Sequence, residues 1–321
     1  MGDPWPRPPP FPSAAPLLFE PVPPSSRLSA ERAQRQAAAI VEVVAANPRI
    51  DAVNLPELVD ENHDGRPYYR SGDVRAHALR LQRASVRPVI VNKVVAHLPD
   101  AAALVAWCRE TIAQGIARAV LVGGSSRYIP YPGPPVIEAD RAAAPIFDDA
   151  GGAVGNIAIP QRTGEAHRML AKTRAGARFF TTQIVFDATP VVSLLTEYGA
   201  LCREHGIPPA PVLLSLAPIA DEGDVEFVRW LGADIPEAVE AEILNGGEAE
   251  PEAAADRSIR LAVRLYETVR DRTGRGAHPD VPLGLNVEQV SSRHLAHAAR
   301  LAAAAARVLP DRALDAGPRP G

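Results

Sequence analysis

Glu20 closes the apolar run Leu17-Leu18-Phe19, and Glu288 closes the run that starts at Pro282. Charged side chains at the ends of hydrophobic strands are costly to bury, so their presence there suggests work. Other polar or small residues end further apolar runs: Asn54, Lys93, Gly124 with Ser125, Gln161, Gln183, Asp187 and Ser215. Two or three carboxylates, one lysine and several amides facing one opening suit acid–base chemistry on a polar organic ligand. Gln183 is conspicuous because it sits inside Thr181-Thr182-Gln183-Ile184-Val185-Phe186. A buried amide must find partners, and backbone, a neighbouring side chain or a ligand all qualify.

These residues need elements to hold them. Short β-branched or aromatic runs recur near 17–24, 50–55, 88–95, 118–123, 155–159, 177–186, 211–217 and 282–288. Helical patterns separate them, with Ser29, Asp100 and Asp187 or Thr189 as N-caps and Gly115 and Gly176 as stops. About eight strand–helix units in alternation predict an α/β fold, a single (β/α)8 TIM barrel over residues 16–309. The proline-rich residues 1–15 are expected to be a disordered arm and 310–321 a flexible tail. A doubly wound sheet would need a phosphate loop, and Gly123-Gly124 lacks the third glycine and following helix. In a barrel the chemistry gathers at the carboxyl ends of the strands, where the residues named above stand.

Composition narrows the function. The chain has 321 residues, 46% hydrophobic and 22% charged, and a formal net charge of −4. Without a basic block, nucleic acid is a poor partner. No apolar run is long enough for a membrane span, and the start does not read as a signal peptide. Cys108 and Cys202 fall in helical patterns and read as buried thiols, which suits the cytoplasm. The polar stretch Pro56–Ser71, with Glu57, Asp60, Glu61, His63 and Asp64, reads as a long functional loop. It shows no recognisable ligand spacing, so no metal is expected. Oligomeric state leaves no mark on the sequence.

Phe19-Glu20-Pro21-Val22-Pro23-Pro24 resembles the first-strand motif of methylenetetrahydrofolate reductases, and Lys172 to Asp187 resembles their Ala-Gly-Ala, Thr-Gln and Phe-Asp signature. Ile159-Pro160, Arg162, Gly164-Glu165, Leu213-Leu214-Ser215 and Pro282-Leu283 are similar to the unconventional, flavin-independent mycobacterial members. The resemblance implies reduction of 5,10-methylenetetrahydrofolate to 5-methyltetrahydrofolate, with a tetrahydrofolate derivative as ligand and NADH or NADPH as reductant. It makes Glu20 the general acid and Gln183 a ligand of the pterin. On this reading Asn54, Lys93, Ser215 and Glu288 would complete the substrate pocket, and Gly124, Ser125, Arg162, Glu165 and Lys172 would border the cofactor. Opening a methylene bridge between two nitrogens requires a proton, and Phe19, Pro21 and Val22 flank Glu20 closely enough to raise its pKa by burial. Gly123-Gly124-Ser125, Ile159 and Lys93 depart from the flavin-containing members, which weighs against bound FAD. The alternatives are a diverged barrel using a folate one-carbon unit in a specialised pathway, and a non-catalytic folate-binding protein.

Overall fold

The computed structural model describes residues 9–126, 128–245, 250–274 and 281–310. Eight strands close into a parallel barrel: β1 (Leu17–Glu20), β2 (Ala52–Leu55), β5 (Val89–Val94), β6 (Arg118–Val122), β7 (Ala153–Ala158), β8 (Phe179–Thr182), β9 (Val212–Leu216) and β10 (Leu283–Glu288). β1 closes the ring by pairing β10 on one side and β2 on the other. The sequence therefore predicts the fold class correctly.

Side-chain alternation explains why these runs are almost wholly apolar yet end in polar groups. Leu17, Phe19, Val53, Val91, Leu214 and Val287 point outward into the layer between sheet and helices. Leu18, Ala52, Ile90, Val120, Ala153, Phe179 and Leu213 fill the barrel interior toward its base. One pleat further along, the inward positions become Glu20, Asn54, Asn92, Ser215, Asn286 and Glu288. The interior is thus apolar below and polar at the carboxyl ends.

Among the described residues ten α-helices surround the sheet. Ser29 caps α1 (Ala30–Ala46), Asp73 caps α2 (Val74–Ser85), Asp100 caps α3 (Ala101–Ala113) and Asp187 caps α6 (Ala188–Glu204). Helices α4 (Val136–Asp149) and α5 (Glu165–Ala175) lie over β6 and β7, and Gly176 ends α5 with φ +119°. A Cβ there would fall 2.4 Å from that of Ala144, so glycine serves both backbone and packing. The others are α7 (Glu222–Trp230), α8 (Glu237–Leu244), α9 (Pro251–Thr273) and α10 (Leu295–Val308).

Three segments differ from expectation. The stretch expected as the loop 56–71 holds an antiparallel hairpin, β3 (Val59–Glu61) and β4 (Pro67–Tyr69). Asn62 Oδ1 builds its turn by accepting from the backbone of Asp64 and Arg66. The strand expected over 177–186 ends at Thr182. Its apolar run continues because Ile184 is buried a second time, under α7 and α8. At the N-terminus residues 1–8 lie outside the described residues, whereas Phe11 is 3% exposed and packs edge-on to Phe179 with centroids 5.1 Å apart. Arg118 Nε donates to Pro10 O at 2.8 Å and holds that segment across the barrel base. The tail expected over 310–321 falls almost wholly outside the described residues, and of a connection expected over 246–252, residues 246–249 lie outside them while Pro251 and Glu252 open α9.

Candidate active site

Glu20 stands partly buried at the carboxyl end of β1. Its Oε2 accepts from Asn54 Nδ2 at 2.6 Å and from Asn286 Nδ2 at 2.7 Å. The same Asn286 nitrogen contacts Ser215 Oγ at 3.0 Å and Glu288 Oε1 at 3.3 Å. Parallel register explains the convergence: Glu20 stands opposite Glu288, and Asn286 opposite Ser215. Neighbours in parallel register point the same way, so four strands deliver five polar side chains to one spot. Burial pushes the Glu20 carboxyl up to about 7, and the two amide hydrogen bonds pull against that shift. Glu288 rises as well, through burial first and the nearby Glu20 charge second.

Asn54, Asn92 and Asn286 are buried, and the amide oxygen of each lacks a hydrogen-bond partner among the described residues. Buried acceptors of this kind are normally satisfied, so three of them on the inward faces of β2, β5 and β10 suit a ligand that brings N–H groups. The cluster can thus protonate a ligand, stabilise the carboxylate left behind, and accept hydrogen bonds from a polar ring.

Of the expected site residues, Glu20, Asn54, Ser215 and Glu288 come together. Asn286 joins them and is the residue that sequence reading missed. It lay in plain view as an asparagine two positions before Glu288, which puts it on the same strand face. Gln183 stands just past β8, half-buried, with Nε2 donating to Leu231 O at 2.8 Å and Oε1 accepting from the Ile184 N–H at 2.9 Å. One N–H and one lone pair of that amide are left over.

The remaining expected residues lie apart from the cluster. Lys93 shares the outward face of β5 with Val91, and its Nζ is 2.6 Å from Glu57 Oε1 and 5.7 Å from the Tyr69 ring centroid. It ties the hairpin to the barrel because odd positions of β5 face away from the interior. Glu165 and Lys172 sit behind β7: Lys172 Nζ donates to Ile157 O at 2.8 Å and lies 3.8 Å from Glu165. Glu165 Oε1 accepts from the Ile159 N–H at 3.3 Å, which braces the turn after β7. Arg162 is exposed in that turn. Ser125 Oγ donates to Glu61 Oε2 at 2.6 Å, and a Cβ on Gly124 would fall 2.2 Å from the Tyr131 ring. Hairpin and Tyr131 thus occupy the space beside the end of β6. Of the residues expected to border a cofactor, Ser125, Glu165 and Lys172 are engaged by the protein itself and Gly124 abuts Tyr131, a poor fit to a tightly held flavin, and no step is derived through one.

Glu61 also takes Tyr131 OH at 2.5 Å and lies 2.7 Å from His97 Nε2. Burial would raise its carboxyl, but bonds from Ser125, Tyr131 and His97 outweigh that and hold it low. Among the described residues the acids of the 56–71 stretch form no metal-like group. Asp221, Asp224 and His294 do bring ligand atoms within 4.8 Å of one another. Asp221 and Asp224 already cap α7, accepting from the backbone N–H of Asp224 and Ala220. No helix among the described residues is long and apolar enough to cross a membrane.

Comparison with known proteins bears on the fold and the family. No curated protein matches the sequence. A solved structure of a Clostridium thermocellum protein, described as uncharacterized and as binding two copies of 5-methyl-5,6,7,8-tetrahydrofolic acid, is similar at TM-score 0.68 and 18% identity. The similarity covers 92% of this chain and 97% of that one, and at this identity it speaks for the fold. The family described as mycobacterial methylenetetrahydrofolate reductase matches residues 16–293, which takes in all eight barrel strands and the Glu20 cluster. The chain belongs to the mycobacterial methylenetetrahydrofolate reductase family.

Proposed function

We propose that this protein reduces 5,10-methylenetetrahydrofolate to 5-methyltetrahydrofolate, with NADH or NADPH as the hydride donor. The observation that carries the reading is Glu20: a partly buried, desolvated carboxyl, raised to about 7, with two amide donors on one oxygen. A group poised near neutrality can both hold and release a proton at working pH. Glu20 would protonate the nitrogen that leaves the methylene bridge; the C–N bond breaks, an iminium forms at the other nitrogen, and hydride then reduces it. Asn54 and Asn286 would hold the Glu20 carboxylate that remains, since their N–H groups already point at Oε2. Orphan amide oxygens on β2, β5 and β10 would take the N–H groups of the pterin, and Gln183 would offer its spare N–H and lone pair to the ring edge. A reduced nicotinamide, as second substrate, would supply hydride through the same opening.

A non-catalytic folate carrier is the second reading, favoured by the similarity to a protein described only as binding a methylated folate. Anaerobic assay of the purified protein separates the two. Folate-dependent oxidation of NADH or NADPH supports the enzyme; its absence with and without added FAD, together with tight folate binding, supports the carrier. In Glu20→Gln the enzyme reading expects turnover to fall while folate still binds.

A further inference from the structure

The proposed reaction uses one carboxyl, yet the site contains two. Glu288 stands beside Glu20 in register, and one amide nitrogen, that of Asn286, bridges both. Their facing oxygens are therefore no farther apart than two hydrogen-bond lengths. We propose that Glu288 is the neutral acid of this pair, a positioning residue that keeps its proton while Glu20 ionises. The proposal rests on the reading of Glu20 as the general acid.

Two carboxyls this close, both partly buried and desolvated, resist carrying charge together without a cation to share it. The groups facing them are uncharged: Asn54 from β2, Asn92 from β5, Ser215 from β9 and Asn286 from β10. Lys93 on β5 is turned outward and spent on Glu57. One member of the pair must stay protonated, and the donors decide which. Glu20 Oε2 receives two short amide bonds, at 2.6 and 2.7 Å, whereas Glu288 receives one long amide bond, at 3.3 Å, and the hydroxyl of Ser215. Hydrogen bonds from N–H groups favour the ionised form. Negative charge therefore belongs on Glu20, which holds the two short amide donors, and the retained proton on Glu288, where the bond from Ser215 opposes the rise without cancelling it. A carboxylic acid kept neutral by its surroundings is a recognised way to hold a donor inside a dry site. The raised position of Glu288 points the same way, through burial and then the Glu20 charge.

The consequence falls on proton transfer. When Glu20 gives its proton to the leaving nitrogen, an N–H bond forms, the O–H bond breaks, and one negative charge is left between Asn54 and Asn286. Glu288 is unchanged. Were Glu288 ionised, Glu20 would hold its proton about one pH unit or more tighter and release it reluctantly.

Infrared titration of the ligand-free protein tests this without any turnover. Spectra of the wild type, Glu288→Gln and Glu20→Gln are recorded between about pH 5 and pH 8, bracketing the Glu20 transition. The expected wild type retains a buried carboxylic-acid carbonyl band at the alkaline end; Glu288→Gln lacks it and Glu20→Gln keeps it. Glu20 should ionise at nearly the same pH in Glu288→Gln, because one neutral group replaces another. A band removed by Glu20→Gln instead, or a Glu20 transition lowered by about one unit or more in Glu288→Gln, overturns the proposal. Should Glu288→Gln fail to fold, wild type and Glu20→Gln decide: the alkaline band in both supports the assignment, its loss from either refutes it. No folate or nicotinamide is present, so a negative result here leaves the reductase reading standing, and a failed reductase assay leaves this pairing standing.

Discussion

At the scale of single residues, the role proposed for Glu20 ties catalysis to stability. As the proposed general acid it must be protonated, so kcat/KM should decline as pH rises through about 7. Replacing it with glutamine should cost about 10²- to 10⁴-fold in kcat, measured as folate-dependent NAD(P)H oxidation. The same burial gives the opposite sign for stability. The folded carboxyl keeps its proton up to about 7, whereas in the unfolded chain it ionises near its ordinary value of 4.5. Its contribution to folding is therefore complete below the unfolded pKa and is lost as pH rises through the folded one. Glu20→Gln cannot ionise and escapes that loss. The variant should gain on the wild type by a few kcal/mol between about pH 5 and pH 8, read as a widening difference in Tm. A gap that stays constant with pH would show that Glu20 ionises in the folded protein as freely as in water.

At the scale of elements, the hairpin is latched to the barrel at two points. Glu57 takes Lys93 Nζ at 2.6 Å and the Val94 N–H at 2.8 Å, while Glu61 collects His97, Ser125 and Tyr131. Glu57 and Lys93 are 11% and 12% exposed, so the pair is largely desolvated. Lys93→Met leaves a buried charge without its partner and should destabilise by about 3 kcal/mol. Faster amide exchange at Val59–Tyr69, with the barrel strands unaffected, would locate that loss in the hairpin; a uniform change would place it in the barrel. A second element-scale test concerns α2, which ends at Val86 in a left-handed conformation, φ 56° and ψ 25°, with the side chain 84% exposed. A β-branched residue is strained there and buries nothing in return, so Val86→Gly should stabilise by about 1 kcal/mol in chemical denaturation. Elements also show what a sequence can and cannot reveal. The barrel was legible because buried parallel strands read as apolar runs at regular spacing. Glu20 and Glu288 were legible because a charge closing such a run is unusual. The hairpin was opaque: Val59-Asp60-Glu61 and Pro67-Tyr68-Tyr69 lack a clear alternation, and the Asx turn at Asn62 looks like ordinary loop chemistry. Lys93 misled for a simpler reason. A polar residue inside an apolar run says that something unusual happens, and only the pleat says on which face.

At the scale of the whole molecule, the barrel separates the work of folding from the chemistry along its axis. The carboxyl end carries the buried Asn54, Ser215 and Asn286 beside the partly buried Glu20 and Glu288, a concentration of polar groups that costs stability. The opposite end is apolar, and there the segment preceding β1 adds Phe11 to Leu18, Ala52, Ile90, Val120, Ala153, Phe179 and Leu213. Phe11 meets Phe179 edge-on, and the Arg118 guanidinium sits 5.8 Å from its ring centroid while Arg118 Nε holds Pro10 O. The segment is pinned again where Arg49 NH2 donates to Ala15 O at 2.6 Å and Asp51 accepts from the Leu17 N–H at 2.9 Å. It works as a plug that completes a core the eight strands leave open from below. Composition alone hides this, because a run rich in proline reads as an arm and its single phenylalanine carries no periodicity. Truncating that ring removes a 3%-exposed aromatic from a packed interior, and Phe11→Ala should cost about 3 to 4 kcal/mol. Because the lost contacts lie at the end of the barrel away from the strand ends that bear the site, KM for the folate should stay within about twofold of the wild type wherever the variant remains folded. A loss of stability with KM preserved would establish the plug as a structural element; a changed KM with unaltered stability would mean that the N-terminal segment reaches the chemistry instead.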